Sequence, residues 1–126
     1  MKIRCGTDII EIDRIKQSID EFQESFLNRV FTPKEIDYCE RKKQQKYQHY
    51  AARFAAKEAV FKAISEKLDN KYSISWKDIE VVNNEDGRPK VNLLLNSIND
   101  IESIDLSISH CKEYAVANVV VVFKEI

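Results

Sequence analysis

Hydrophobic positions along this chain keep two periods. A short alternating stretch opens the sequence, three- and four-residue steps follow as far as Leu68, and alternation returns after it. In residues 1–10, Ile3, Cys5, Thr7 and Ile9 fall on one face and Arg4, Gly6, Asp8 and Ile10 on the other, the period of a strand. Ile12, Ile15, Ile19, Phe22, Phe26 and Val30 then predict an amphipathic helix over 12–30, with Arg14, Lys16, Gln17, Asp20, Glu21, Glu24 and Asn28 on its solvated face. Thr32-Pro33-Lys34-Glu35 supplies an N-cap hydroxyl, a proline at the first helical position and an acid at the capping-box position. A helix over 33–43 burying Ile36 and Cys39 should follow, and the basic stretch 41–46 reads as an exposed link.

Residues 51–66 carry the strongest helix propensity, being alanine-rich without Gly or Pro. Ala52, Ala56, Ala59 and Ala63 form a seam of small side chains along which another backbone could approach, and Val60 and Ile64 continue it. Phe54 and Phe61 lie on a different face, flanked by the stripes Arg53/Lys57 and Glu58/Lys62. Beyond Leu68, 69–71 reads as a loop and Trp76 as a cover for one edge of the core. Strands over 79–82 and 91–95 flank the turn residues Asn83-Asn84-Glu85-Asp86-Gly87 and Arg88-Pro89-Lys90. Residues 96–103 form a polar connector with room for one helical turn. Ile104, Leu106, Ile108 and His110 share one face of a further strand, and Asp105, Ser107, Ser109 and Cys111 the other. After a turn at Lys112-Glu113, the strand 114–124 is apolar on both faces. That suggests a sheet covered by the central helix on one side and by another subunit on the other.

A chain of 126 residues suits one α+β domain spanning 1–126. At 44% hydrophobic and 33% charged, it has no apolar run near the roughly 20 residues that cross a bilayer. Lys2, Arg4 and Asp8 interrupt any signal-peptide core. Cys5, Cys39 and Cys111 lack metal-ligand spacing and read as small core residues of a cytoplasmic protein. The net charge of −1 argues against a general nucleic-acid surface.

The chemistry concentrates at two acids. A carboxylate on a largely apolar helix must be paired or bind a metal, so Glu58 is either a metal ligand or half of an ordinary i, i+4 ion pair with Lys62. Gly6 removes the side chain beside Asp8 on its own strand face, which admits a ligand or another backbone. Asp8 otherwise reads as an idle strand-end acid. His49, just before the central helix, reads as a packing or surface residue.

Gly6-Thr7-Asp8, the run Arg53-Phe54-Ala55-Ala56-Lys57-Glu58-Ala59-Val60-Phe61-Lys62, Gly87-Arg88-Pro89 and Ser107-Ile108-Ser109-His110 together resemble the holo-acyl-carrier-protein synthases, the small single-domain branch of the 4′-phosphopantetheinyl transferases. The resemblance runs from residue 1 to the last strand, in the family's order and spacing. Thr7 stands where a branched aliphatic residue is usual, and the first helix is less basic than the family's. The resemblance implies a small antiparallel sheet wrapped on a long central helix. It also implies transfer of 4′-phosphopantetheine from coenzyme A to a serine of apo acyl carrier protein, for fatty acid biosynthesis, leaving adenosine 3′,5′-bisphosphate. Asp8 and Glu58 would hold Mg²⁺, and Lys62 would reach a phosphate oxygen. Arg53, Lys57, Lys62, Gly87, Arg88, Pro89, Ser109 and His110 would make the coenzyme A site, and Glu58 or a metal-bound water would be the general base. The resemblance further implies a homotrimer with sites at subunit interfaces and a carrier protein docked on the first helix near Arg14. A non-catalytic trimeric binding or scaffold module of the same fold is the alternative, which would not require Mg²⁺ to bind coenzyme A.

Overall fold

In the computed structural model, which describes residues 1–68, 74–95 and 98–124, the opening alternation builds β1 (Lys2–Glu11). Its Gly6 face turns inward and its Ile3-Cys5-Thr7-Ile9 face outward. The pattern at 12–30 gives two helices rather than one: α1 (Ile12–Phe22) and α2 (Glu24–Val30). Gln23 separates them with φ 50 and ψ −126, an unfavourable backbone for a side chain with a Cβ. The chain changes direction there, and Phe22, expected in the buried stripe, is 54% exposed. α3 (Pro33–Glu40) starts at the expected cap, with the Thr32–Glu35 capping box formed.

The central helix α4 (Lys46–Ile64) begins over a turn earlier than propensity suggests, so His49 lies inside it. It crosses β1 and β5 (Tyr114–Phe123). The alanine seam permits this, and Gly6 makes it close: a Cβ on Gly6 would sit 1.8 Å from the Ala59 carbonyl oxygen. Of the two possibilities Gly6 opened, the nearby backbone is the one the fold uses. β2 (Ile79–Asn83) and β3 (Pro89–Leu93) form the expected hairpin as a separate two-stranded sheet, with Gly87 at φ +88 in its turn. β4 (Ile101–His110) begins inside the predicted connector, where a helical turn had room to form. The predicted loop at 69–71 lies outside the described residues.

β1, β5 and β4 form an antiparallel sheet in the order β1-β5-β4, with Gly6 and Leu106 both opposite Val119 and His110 opposite Ala115. The α4 face of the sheet is closed by Ala117, Val119, Val121 and Phe123, while α1–α3 build a second apolar cluster around Phe31, Cys39 and Tyr50. The opposite face carries apolar side chains in the open, Ile9 at 63% and Val120 at 41% exposure among them. Of the cysteines read as core residues, only Cys39 is buried. Cys5 and Cys111 are exposed because each sits on or beyond a strand face that α4 does not cover.

Candidate active site

Asp8, two residues from the Gly6 contact, is brought to the flank of α4. There it meets Lys62, whose Nζ lies 3.0 Å from Asp8 Oδ1 and donates to the Thr7 carbonyl at 3.0 Å. The i, i+4 pair between Glu58 and Lys62 therefore does not form, because the lysine is drawn to the strand. Glu58 is half-buried, and among the described residues its carboxylate accepts no hydrogen bond. Burial first, and then the nearby Asp8 charge, push its carboxyl above the usual glutamate range, with Lys62 partly opposing them. Asp8 and Glu58 line one cleft of about 320 Å³ together with Glu11, Arg14, Phe54 and Tyr114.

Two carboxylates, one of them without a donor, make a patch of negative potential that favours a cation. No group of three or more His, Cys, Asp or Glu gathers among the described residues. A ligand set of two oxygens suits Mg²⁺, which keeps waters and takes phosphate oxygens for the rest of its shell.

Apart from Lys62, the residues that the resemblance gave to coenzyme A lie elsewhere. Arg53 is buried, with its guanidinium 4.0 Å over the Tyr38 ring and Nη2 donating to Asn83 Oδ1 at 2.5 Å. Asn83 Nδ2 in turn donates to the Gly87 carbonyl at 2.9 Å. The His49 ring stands 5.7 Å from Tyr38, edge-on, and His110 stands 5.7 Å from His49. Arg53, the Gly87 turn and His110 thus belong to one connected group. Arg53 Nε, buried, has no partner in it. Burial, aided by the Lys42, His110 and Arg53 charges, lowers His49 to about 4, so the imidazole is neutral near pH 7. Arg88 and Pro89 line a further cleft of about 290 Å³ with Asp105, Ser107 and Ile108, and Ser109 is exposed on the outward face of β4. None of these residues lines the Asp8–Glu58 cleft.

Lys57 is fully buried and its ammonium is committed: Glu35 Oε1 lies at 2.7 Å, the Ile79 carbonyl at 2.6 Å and the Trp76 carbonyl at 3.0 Å. Burial lowers its pKa and Glu35 opposes the shift. Sequence reasoning missed Glu35 beyond its capping role, and it missed Tyr38 and Asn83. No local pattern marks a partner 22 residues away, and the turn chemistry of Asn83 conceals its side-chain role. Beside Glu58, a second and more apolar cleft of about 530 Å³ is lined by Phe61, Ile74, Trp76 and Ile79.

Residues 4–119 match the 4′-phosphopantetheinyl transferase superfamily. A holo-[acyl-carrier-protein] synthase of Dehalococcoides mccartyi is 48% identical over 120 residues, 91% of this chain and 94% of its own. One from Ruminiclostridium cellulolyticum is 44% identical over 126 residues, 96% of this chain and 92% of its own. Among solved structures, the Bacillus anthracis holo-(acyl-carrier-protein) synthase, in complex with CoA (3′,5′-ADP), superposes with a TM-score of 0.78 at 34% identity. That match covers 97% of this chain and 96% of the other.

Proposed function

The chain belongs to the 4′-phosphopantetheinyl transferase superfamily, and from that premise we propose how its residues divide the work of the reaction. The reaction moves 4′-phosphopantetheine from coenzyme A to a serine of apo acyl carrier protein, as in its holo-[acyl-carrier-protein] synthase relatives. Breaking a pyrophosphate linkage requires neutralising charge on two phosphates while the serine is held in line. Asp8 and Glu58 would hold Mg²⁺, which when bound would supply positive charge to the pyrophosphate oxygens. Lys62 lies against Asp8 and, at 53% side-chain exposure, can extend to a phosphate oxygen in the same cleft. Glu58 accepts the serine proton or orients the water that does. The single observation that carries this division is the half-buried Glu58 carboxylate beside Asp8, which accepts no hydrogen bond from the described residues.

Arg53, Gly87, Arg88, Pro89, Ser109 and His110 serve the nucleotide half of coenzyme A, and the apolar cleft beyond Glu58 is shaped for the pantetheine arm. Within one chain none of this second set lines the Asp8–Glu58 cleft, and Arg88 and Pro89 line another. This supports a homotrimer whose sites pair the metal side of one subunit with the nucleotide side of the next, closed over the exposed apolar sheet face. Arg14, at the rim of the Asp8–Glu58 cleft, is placed to meet an acidic carrier protein. The protein works in the cytoplasm, in fatty acid biosynthesis, a reading supported by its free cysteines. No helix among the described residues is long and apolar enough to cross a membrane.

Intact-mass analysis of apo acyl carrier protein incubated with the protein, coenzyme A and Mg²⁺ tests the reading. The carrier should gain one phosphopantetheine only when both additives are present, and no gain rejects it. Mixing Glu58→Gln with His110→Ala subunits tests the shared site: activity should reappear above either parent after exchange. A mixture of Asp8→Asn with Glu58→Gln, both on the metal side, should restore none.

A further inference from the structure

We propose that Lys57 and Glu35 are positioning residues for phosphopantetheinyl transfer, holding the wall that carries Trp76 and Ile79 against the helix at Glu58. Lys57 belongs to the motif that pointed to coenzyme A, yet its side chain has no exposed surface and its three ammonium protons have three oxygen partners. A phosphate could reach it only by breaking a buried ion pair. Glu35 is equally committed: it accepts from the Thr32 amide at 2.9 Å and from the Val81 amide at 2.8 Å as well as from Lys57. Two buried side chains thus fasten four parts of the fold, namely α4, the start of α3, the 76–79 turn and β2. The turn is a short 3₁₀ segment, Trp76–Asp78, closed by its own Ser75–Asp78 capping box and by the Leu94 amide donating to the Asp78 carbonyl, and neither of those ties reaches α4.

What the turn carries explains the position of the tie. The Trp76 ring stacks on Phe54 at 4.9 Å, and Phe54 lines the Asp8–Glu58 cleft. Trp76 and Ile79 also line the apolar cleft on the other side of Glu58. The surfaces flanking the carboxylate on both sides therefore depend on the ammonium one residue before it. This inference rests on the proposed role of Glu58. A misplaced wall would spoil alignment of the reacting groups and leave nucleotide contacts intact.

Trp76 is the only tryptophan, so its emission reports the wall directly. Lys57→Met, Glu35→Gln and the double variant are assayed for kcat, KM for coenzyme A, melting temperature and Trp76 emission. For Lys57→Met the expectation is a kcat lower by about tenfold or more, a KM for coenzyme A raised by a smaller factor than kcat falls, since the wall also lines the pantetheine cleft, and red-shifted emission. Glu35→Gln should move all three readouts the same way by less. A raised KM with kcat and emission unchanged would show Lys57 touching phosphate and overturn the proposal. A lowered melting temperature with wild-type kcat, KM and emission well below it would reduce the pair to a structural role, and overturns it equally. Should Lys57→Met not fold, the double variant removes both buried charges together, a change buried pairs often tolerate. It still leaves the Trp76 and Ile79 carbonyls without their donor, so wild-type kcat and emission in the double variant overturn the proposal. Glu58→Gln run in parallel should lose kcat and keep its emission. If it keeps kcat, the reading of Glu58 fails; the Lys57→Met emission then still decides the tie, a wild-type spectrum overturning it.

Discussion

Lys57 and Glu58 are neighbours on α4 and are treated in opposite ways by the fold. Every proton of the lysine is matched inside the protein, whereas no donor among the described residues bonds the half-buried carboxylate beside it, which faces a second acid. Breaking a buried, matched pair costs about 3–5 kcal/mol because a charge is stranded. Leaving Glu58 unmatched costs the apo protein stability, and groups perturbed in this way cluster at functional sites. Two charges in one motif need not share a role, and what separates them is whether the chain itself satisfies them.

The largest effect that could break this contrast is on turnover. Asp8→Asn and Glu58→Gln should each lower carrier modification by about a hundredfold or more, since each removes a charge from the proposed metal site, with urea midpoints near wild type. Equal turnover at limiting Mg²⁺ in both variants would falsify the site.

The next concerns how the acids are held together. Gly6→Ala puts a methyl group 1.8 Å from the Ala59 carbonyl and should cost about 2–3 kcal/mol in urea unfolding, as overpacking does. Gly87→Ala meets nothing within 4 Å but sits at φ +88, so about 1–2 kcal/mol of backbone strain is expected. The opposite ranking would mean that β1 does not seat on α4 through Gly6.

A smaller change is expected at the rim of the cleft. Arg14→Glu should weaken carrier-protein binding by about tenfold, or 1.4 kcal/mol, and reduce its salt dependence, leaving coenzyme A affinity alone. Titration calorimetry showing equal carrier affinity would remove α1 from the docking surface.

A last effect is a pH response on the other side of α4. His49 takes up its proton near 6.5 when unfolded but only at about 4 in the folded chain. Between those values the unfolded state binds more protons, so stability falls as pH falls through that window. His49→Phe should lack this loss. Its melting temperature should drop less than that of wild type between pH 7 and pH 4.5, and parallel curves would show the ring titrating normally.

The sequence made Asp8, Glu58 and the central helix legible because short motifs carry them and alanine propensity is local. The break at Gln23 was invisible, since neither Gly nor Pro marks it and apolar spacing continues on both sides. The burial of Lys57 was hidden for a related reason. Its motif indicates that a charge is present, while its burial depends on Glu35, whose sequence neighbourhood already explained it as a helix cap. Cys5 and Cys111 were read by residue type, and exposure is decided by which sheet face the helix covers. His49 shows the same limit: its neutral state arises first from burial and then from Lys42, His110 and Arg53, the first two brought to it from other elements.

The contact between Gly6 and Ala59 also acts as an index mark between strand and helix. Slide β1 by two residues and the side chain of Arg4 or Asp8 would have to occupy a place where not even a methyl fits, so the strand has one seat. Glu58 adjoins the mark on one side, and Asp8 stands two residues from it on the other. Two like charges that would drift apart if left to themselves are thus held at a set spacing by a fit in which neither takes part. Substitutions elsewhere in the chain can accumulate without recalibrating that spacing, provided the notch stays empty.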